Sequence, residues 1–307
     1  MLKNCIFVFC FKTELLFMKK IQVGFLVSYD YELLKNAIPL VYKLADTIFL
    51  AVDIDRKTWN GSPITIDDSF FNWIKTFDTE NKIVIYEDNF CKPELTTMQC
   101  EVRERKMMAE KMGIGNWIIQ LDADEYFINF ERFVKFLKSK DAYLTNPEKH
   151  KIQIQPFHVS LYKKTENGYL YVNEATKTVV ATNYPDYKIG RKTHGKVIYF
   201  NALILHESIS RDREDLITKL TNWGHNEEVD VDGFMKKWDA VNESNYKDMQ
   251  DFFFLEPEKW KHLDFVKGSN FTELFENFKK EKEKGLYKSK FFIFKKNLGQ
   301  FFKYLFK

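Results

Sequence analysis

Between residues 20 and 121, four short apolar runs alternate with three helix-like segments, and this alternation restricts the fold more than any other feature. Ile21 to Ser28 (IQVGFLVS) is mostly apolar with β-branched residues, as suits a strand covered on both faces. Thr47 to Val52 (TIFLAV), Lys82 to Tyr86 (KIVIY) and Asn116 to Leu121 (NWIIQL) repeat the pattern. In the first gap, Leu33, Leu34, Ala37, Ile38, Val41 and Leu44 fall at helical spacing, with Pro39 demanding a kink or a late start. Asp67 to Phe77 reads as a second helix and about Met98 to Met112 as a third. Thr96 and Gln99 suit a capping box at its start, and Gly113 suits its stop. Strands spaced by helices fold as a mostly parallel sheet with helices on both faces. Ligands of such sheets sit beyond the carboxyl ends of the strands. Asp53 and the cluster Asp122-Ala123-Asp124-Glu125 both fall at predicted strand ends, so they are expected to face one crevice.

Residues 152–159, 169–172, 178–182 and 197–205 read as short strands joined by polar turns, a β-rich extension of the sheet. Helical spacing returns from about Glu214 through Leu216, Leu220 and Trp223. Three regions follow: 1–17, an N-terminal extension of doubtful status; 18–235, the α/β domain; and 236–307, a helical C-terminal extension. Met18-Lys19-Lys20 opens directly into the first strand, which suggests that Met18 is the start; a secretory leader or anchor is the rival reading of 1–17. Cys5, Cys10, Cys91 and Cys100 form no CxxC pair, which argues for reduced thiols in a cytoplasmic protein. A net charge of +3 argues against a dedicated nucleic-acid binder.

The acidic cluster carries the chemistry. On an extended segment Asp122 and Asp124, two residues apart, point to the same side and can share one divalent cation, Mn2+ or Mg2+, completed by substrate phosphates. Such an ion neutralises a leaving diphosphate. The bland alternative is a solvated turn or a helix N-terminus. Neither a calcium loop nor a phosphatase fits, because Tyr126 and Phe127 stand where those motifs need other residues.

The run Trp117-Ile118-Ile119-Gln120-Leu121-Asp122-Ala123-Asp124-Glu125-Tyr126-Phe127 resembles the DxD signature of family 2-like GT-A glycosyltransferases. The likeness covers Lys20 to Phe127 well. It continues more loosely to Asp264 through Leu205-His206-Glu207-Ser208 and Leu220-Thr221-Asn222-Trp223-Gly224-His225. It implies a GT-A fold and transfer of a sugar from a nucleotide-sugar, a UDP-sugar before a GDP- or dTDP-sugar, with inversion. By that likeness Val27, Ser28, Tyr29 and Asp53 hold the base and ribose, although Asp53 suits a strand-end turn equally well. Asp124 is the main metal ligand, Asp122 reaches the metal through water or holds sugar and ribose hydroxyls, and Glu125 supports them. A late histidine completes the metal shell: His206 first, His225 as alternative, with His158 and His194 lacking comparable context. Arg191 and Lys192, on the basic loop Lys188 to Lys196, fold over the diphosphate or are solvated. Arg103 and Arg105 read as surface residues, of which one can reach the donor. The acceptor's base is Asp186, Glu174 or Glu207, with Asp186 favoured.

From Leu286 to Lys307 the chain has Lys288, Lys290, Lys295, Lys296, Lys303 and Lys307 and no acid. Phe291, Phe294, Leu298, Phe301, Phe302 and Leu305 recur at three- and four-residue steps. The pattern predicts an amphipathic helix that either packs on the domain or lies on an anionic membrane, placing the protein peripherally on the inner face. The expected partners are a nucleotide-sugar donor and a surface-glycan or lipid-linked acceptor. Two rivals stand beside this reading: a sugar-phosphate nucleotidyltransferase, for which Val23-Gly24-Phe25-Leu26 lacks the Gly-rich loop, and a non-catalytic membrane-associated scaffold.

Overall fold

All four apolar runs form strands: β1 (Ile21–Val27), β2 (Thr47–Asp53), β3 (Ile83–Asp88) and β4 (Trp117–Leu121). The computed structural model describes residues 19–222, 230–253, 255–256 and 259–305. Residues 1–17, Met18, Trp223 and His225 lie outside that set, as do Phe306, Lys307 and the side chain of Leu305. Three helices fill the gaps: α1 (Leu34–Tyr42), α2 (Asp68–Phe77) and α3 (Thr97–Met112). Pro39 sits inside α1, whose α-helical turns begin only at Leu34 after a 3-10 turn. The capping box of Thr96 with Gln99 is formed, and Gly113 closes α3 with φ +83°.

β1, β2, β3 and β4 pair in parallel in the order β3-β2-β1-β4. The order reverses at β1, which opens a crevice between the carboxyl ends of β1 and β4. Every residue of β1 and β4 is buried because helices cover both faces. The two-residue period decides which cover each side chain meets. Val23, Phe25 and Val27 join α1, whereas Leu26 and Gly24 face α3.

Past β4 come β5 (Glu125–Phe127), α4 (Phe130–Lys138), β6 (Ile152–Lys164), β7 (Gly168–Val172), β8 (Thr176–Lys177) and β9 (Ala181–Thr182). A small hairpin of β10 (Tyr187–Ile189) and β11 (Lys192–Thr193) leads to β12 (Lys196–His206). The β-rich extension is therefore present, and it makes the large sheet mixed. β9 joins β4 to β6 antiparallel, while β12 runs parallel to β6 and antiparallel to β5. The three longest ladders, β12–β6, β1–β2 and β2–β3, are parallel. The molecule is a mixed α/β structure with one large, mostly parallel, helix-flanked sheet.

The expected boundary at 235 is absent. α5 (Arg213–Asn222) is followed by α6 (Val231–Ala240), which spans that position. β13 (Leu263–Lys267) then adds to the sheet beside β7, so the C-terminal region is not a purely helical appendage. Leu216, Leu220, Phe234 and Trp238 share one core with Tyr162, Leu170 and Leu263, which ties both sides of the boundary together. The chain ends in α7 (Phe271–Asn277), a π-helical turn Phe278–Lys282, α8 (Glu283–Leu286) and α9 (Lys290–Leu305). Among the described residues, no helix is long and apolar enough to cross a membrane.

Gly24 sets the distance between β1 and α3. A Cβ there meets the Met108 sulfur and terminal methyl at 2.7 Å. Gly24→Ala is expected to cost about 1–3 kcal/mol in urea unfolding, the usual range for overpacking. Met108→Ala should cost less on the Gly24→Ala background than alone, because the extra methyl fills the space the methionine leaves. Strict additivity of the two changes would show that the contact does not set this spacing.

Candidate functional site

The parallel strands deliver their carboxyl ends to one cavity of about 730 Å³. Val27, Ser28 and Tyr29 line it from the end of β1, Asp53 from β2, and Asp122, Asp124 and Glu125 from the turn after β4. His206, at the end of β12, and Arg191 and Glu174 also line it. Asp186 and Glu207 do not.

The acidic cluster is a turn, not the extended segment expected, with Glu125 N donating to Asp122 O at 3.1 Å. The turn sends its carboxylates to different partners. Asp122 accepts from Arg105 Nη2 at 2.6 Å, and its other oxygen stands 3.8 Å from Arg191. That side chain keeps 37% of its surface exposed, so it is the open member of the pair. Asp124 is buried, accepting from Lys219 Nζ at 2.5 Å and Arg211 Nη2 at 2.7 Å, while His206 Nε2 lies 3.4 Å away. Burial alone would raise the Asp124 carboxyl; Lys219, His206 and Arg211 outweigh it and hold the group well below the usual carboxylate range. Glu125 is likewise buried and is held down by a two-pronged contact from Arg191 and by His158, whose Nε2 is 2.8 Å away. Glu125 also accepts from the Asp122 amide at 3.2 Å.

These positions bear on a divalent cation. Asp124 and His206 do come together, as expected of two ligands. Yet the Asp124 carboxylate is engaged by two cations, and Asp122 turns toward α3 rather than sharing a side with it. Among the described residues, no group of three or more His, Cys, Asp or Glu is placed to hold a metal. As arranged, these residues do not fit a shared Mn2+ or Mg2+ site.

Of the two readings of Asp53, the strand-end turn is the one its contacts match. Its carboxylate accepts four backbone amides: Asp55 and Lys57 on Oδ1, and Phe90 and Cys91 on Oδ2, at 2.9–3.2 Å. It builds the cavity wall by joining the loops after β2 and β3, with no oxygen spare for a ribose. Asp186 is captured elsewhere by Lys151 at 2.7 Å and by the His194 amide at 3.1 Å. Glu207 accepts from the Tyr126 hydroxyl behind the wall, and burial raises its carboxyl. Of the three proposed bases, Glu174 alone reaches the cavity, and it is exposed there.

Several wall residues carried weak sequence signals. Arg105 is buried, not a surface residue, and binds both Glu101 and Asp122. Arg103 bonds the Asn89 carbonyl. His158, which lacked context in sequence, lines the cavity with its ring 4.8 Å from that of His206. Trp59, in the turn after β2, lines the cavity and donates its indole N–H to Glu104 at 2.6 Å. The signal was available on α3, where Glu101, Glu104 and Arg105 fall on the same face as Met108 and Met112. No protein-family model and no curated protein matches this chain.

Burial pushes the Glu104 carboxyl from an ordinary 4.5 up to about 8, against the lowering effects of the Trp59 hydrogen bond and Arg105. The folded state therefore keeps a proton that the unfolded chain releases, and stability falls as pH rises from about 4.5 to about 8. Relative to Glu104→Gln, the wild type should lose about 2–4 kcal/mol in urea unfolding between these limits; parallel profiles would refute this. Asp124→Asn leaves Lys219 and Arg211 buried without that carboxylate and should cost about 3 kcal/mol or more. Asp122→Asn, whose buried partner Arg105 keeps Glu101, should cost less, about 1–2 kcal/mol. Equal losses in chemical denaturation would contradict the inequality of the two.

Proposed function

We propose that this chain is a nucleotide-sugar glycosyltransferase with a GT-A arrangement, taking a UDP-sugar in preference to GDP- or dTDP-sugars. The observation that carries the reading is convergence: the ends of β1 and β4 and the late residues His206, Arg191 and Lys219 all line one cavity at the topological switch point. The likeness of the Trp117–Phe127 run to the DxD signature selects this chemistry from those that such a cavity can host.

In this reading the base lies against the face of Trp59, whose indole N–H is held at the ring edge by the Glu104 carboxyl. The diphosphate faces Lys219 and Arg191, both held in place by carboxylates before any ligand arrives. Asp122, with its open oxygen, accepts hydroxyls of the donor's sugar or ribose. Glu174 takes the proton of the acceptor hydroxyl, whose oxygen bonds the anomeric carbon as the bond to the diphosphate breaks. The departing negative charge is met by Lys219 and Arg191. These steps use the chain's own cations, since Asp122, Asp124 and His206 as placed do not fit a shared Mn2+ or Mg2+.

Thermal-shift measurements against UDP-, GDP- and dTDP-sugars test the reading. One donor should stabilise the fold by about 2.7 kcal/mol at a hundredfold excess over its Kd. Lys219→Met should abolish that gain. Glu174→Gln should keep it while slowing transfer by about 10²–10⁴-fold. If no nucleotide-sugar shifts the transition, with Mn2+ or with EDTA, the proposal fails.

A further inference from the structure

α9 is fixed to the sheet by one face. The Asn297 side chain brackets the backbone of Tyr199 in β12, accepting from its N–H at 2.8 Å and donating to its carbonyl at 3.0 Å. Tyr304 donates to the Gly195 carbonyl at 3.0 Å. Phe292 and Ile293 pack against the main core. These contacts set the rotation of the helix about its axis, and they leave the aromatic stripe outside. Phe291 is 73% exposed and Phe294 62%, and Leu298, Phe301 and Phe302 are exposed beside them. At about 100° per residue these five positions fall within an arc of roughly 100°. Lys290 borders the arc on one side and Lys295 on the other, both exposed. Lys196, from β12, holds its ammonium 5.0 Å over the Phe301 ring. α9 contains no acid.

Exposing four phenylalanines along one helix is unfavourable in water, and a stripe of this size marks a contact surface. The cations ringing it select the occupant. A second copy would bring lysines against lysines, whereas an anionic bilayer offers hydrocarbon to the rings and phosphates to the ammonium groups. The placement also suits the cavity. A groove lined by Asn173, Lys288 and Phe292 runs from the start of α9 to Glu174 and Ala175, which line the main cavity as well.

We propose that the exposed face of α9 docks this protein on anionic membrane surfaces, with Phe291, Phe294, Leu298, Phe301 and Phe302 in the interface and Lys290, Lys295 and Lys196 against head groups. The docking is independent of the reaction assigned to the cavity, and its test reads no activity. The full chain is sedimented with phosphatidylcholine vesicles, with and without about 30 mol% phosphatidylglycerol. Binding is expected only with the anionic lipid, and it should weaken severalfold at roughly 0.5 M salt. Phe291→Ser/Phe294→Ser/Phe302→Ser and Lys290→Glu/Lys295→Glu should each lower binding by at least about tenfold at an unchanged Tm. Lys135→Glu, an exposed lysine on α4, should leave it unaltered. No binding to anionic vesicles, an equal loss with Lys135→Glu, or a concentration-dependent dimer dissolved by the phenylalanine changes would overturn the proposal.

Discussion

The pairing of β5 with β12 holds the two halves of the site together. Its register sets Ile204 opposite Phe127, Leu205 opposite Tyr126 and His206 opposite Glu125. A slip of one residue would move His206 to the far side of the sheet and point an apolar neighbour at the cavity. The ladder is closed by the Glu207 amide on the Asp124 carbonyl. The segment leaving β12 then carries Arg211 and Lys219 onto Asp124, while β6, paired to β12 on its other side, brings His158 to Glu125. Sheet register thus decides which cation meets which carboxylate.

That matching is a condition of folding. Asp124 and Glu125 are adjacent and almost wholly buried. Two unmatched carboxylates there would cost several kcal/mol each, a large part of a typical domain's net stability. Arg191, Lys219 and Arg211 remove that penalty. In doing so Arg191 and Lys219 become fixed positive charges lining the cavity.

Much of this was readable from sequence where the signal is local. Buried parallel strands are mostly apolar runs, so β1, β2 and β4 stood out, as did the apolar but half-exposed edge strand β3, and capping chemistry placed both ends of α3 through Thr96 and Gly113. The grouping of strand-end residues followed from topology alone. What sequence hid depends on distant partners. Arg211 and Lys219 meet Asp124 across 87 and 95 residues, and Lys151 takes Asp186 across 35. Asp53 looks the same in sequence whether its oxygens are free or filled by four amides. The boundary at 235 misled because β13 is only five residues long and nothing local announces that it pairs with β7, about a hundred residues earlier.

The turn at Asp122–Glu125 explains why the motif's acids are unequal. An extended segment would hold Asp122 and Asp124 on one side, to act on one ion together. A turn sends three carboxylates in three directions: Asp122 to Arg105 on α3, Asp124 to the segment after β12, and Glu125 to Arg191 on the loop between β10 and β11. Each direction ends on a different wall of the cavity, so the cluster ties α3, the β10–β11 loop and the segment after β12 to one another. Asp122 alone keeps an oxygen toward the open space. A motif read as a matched pair is therefore, in this fold, one exposed carboxylate supported by two buried ones, and the rigidity of the apolar strand beneath it is what makes that division hold.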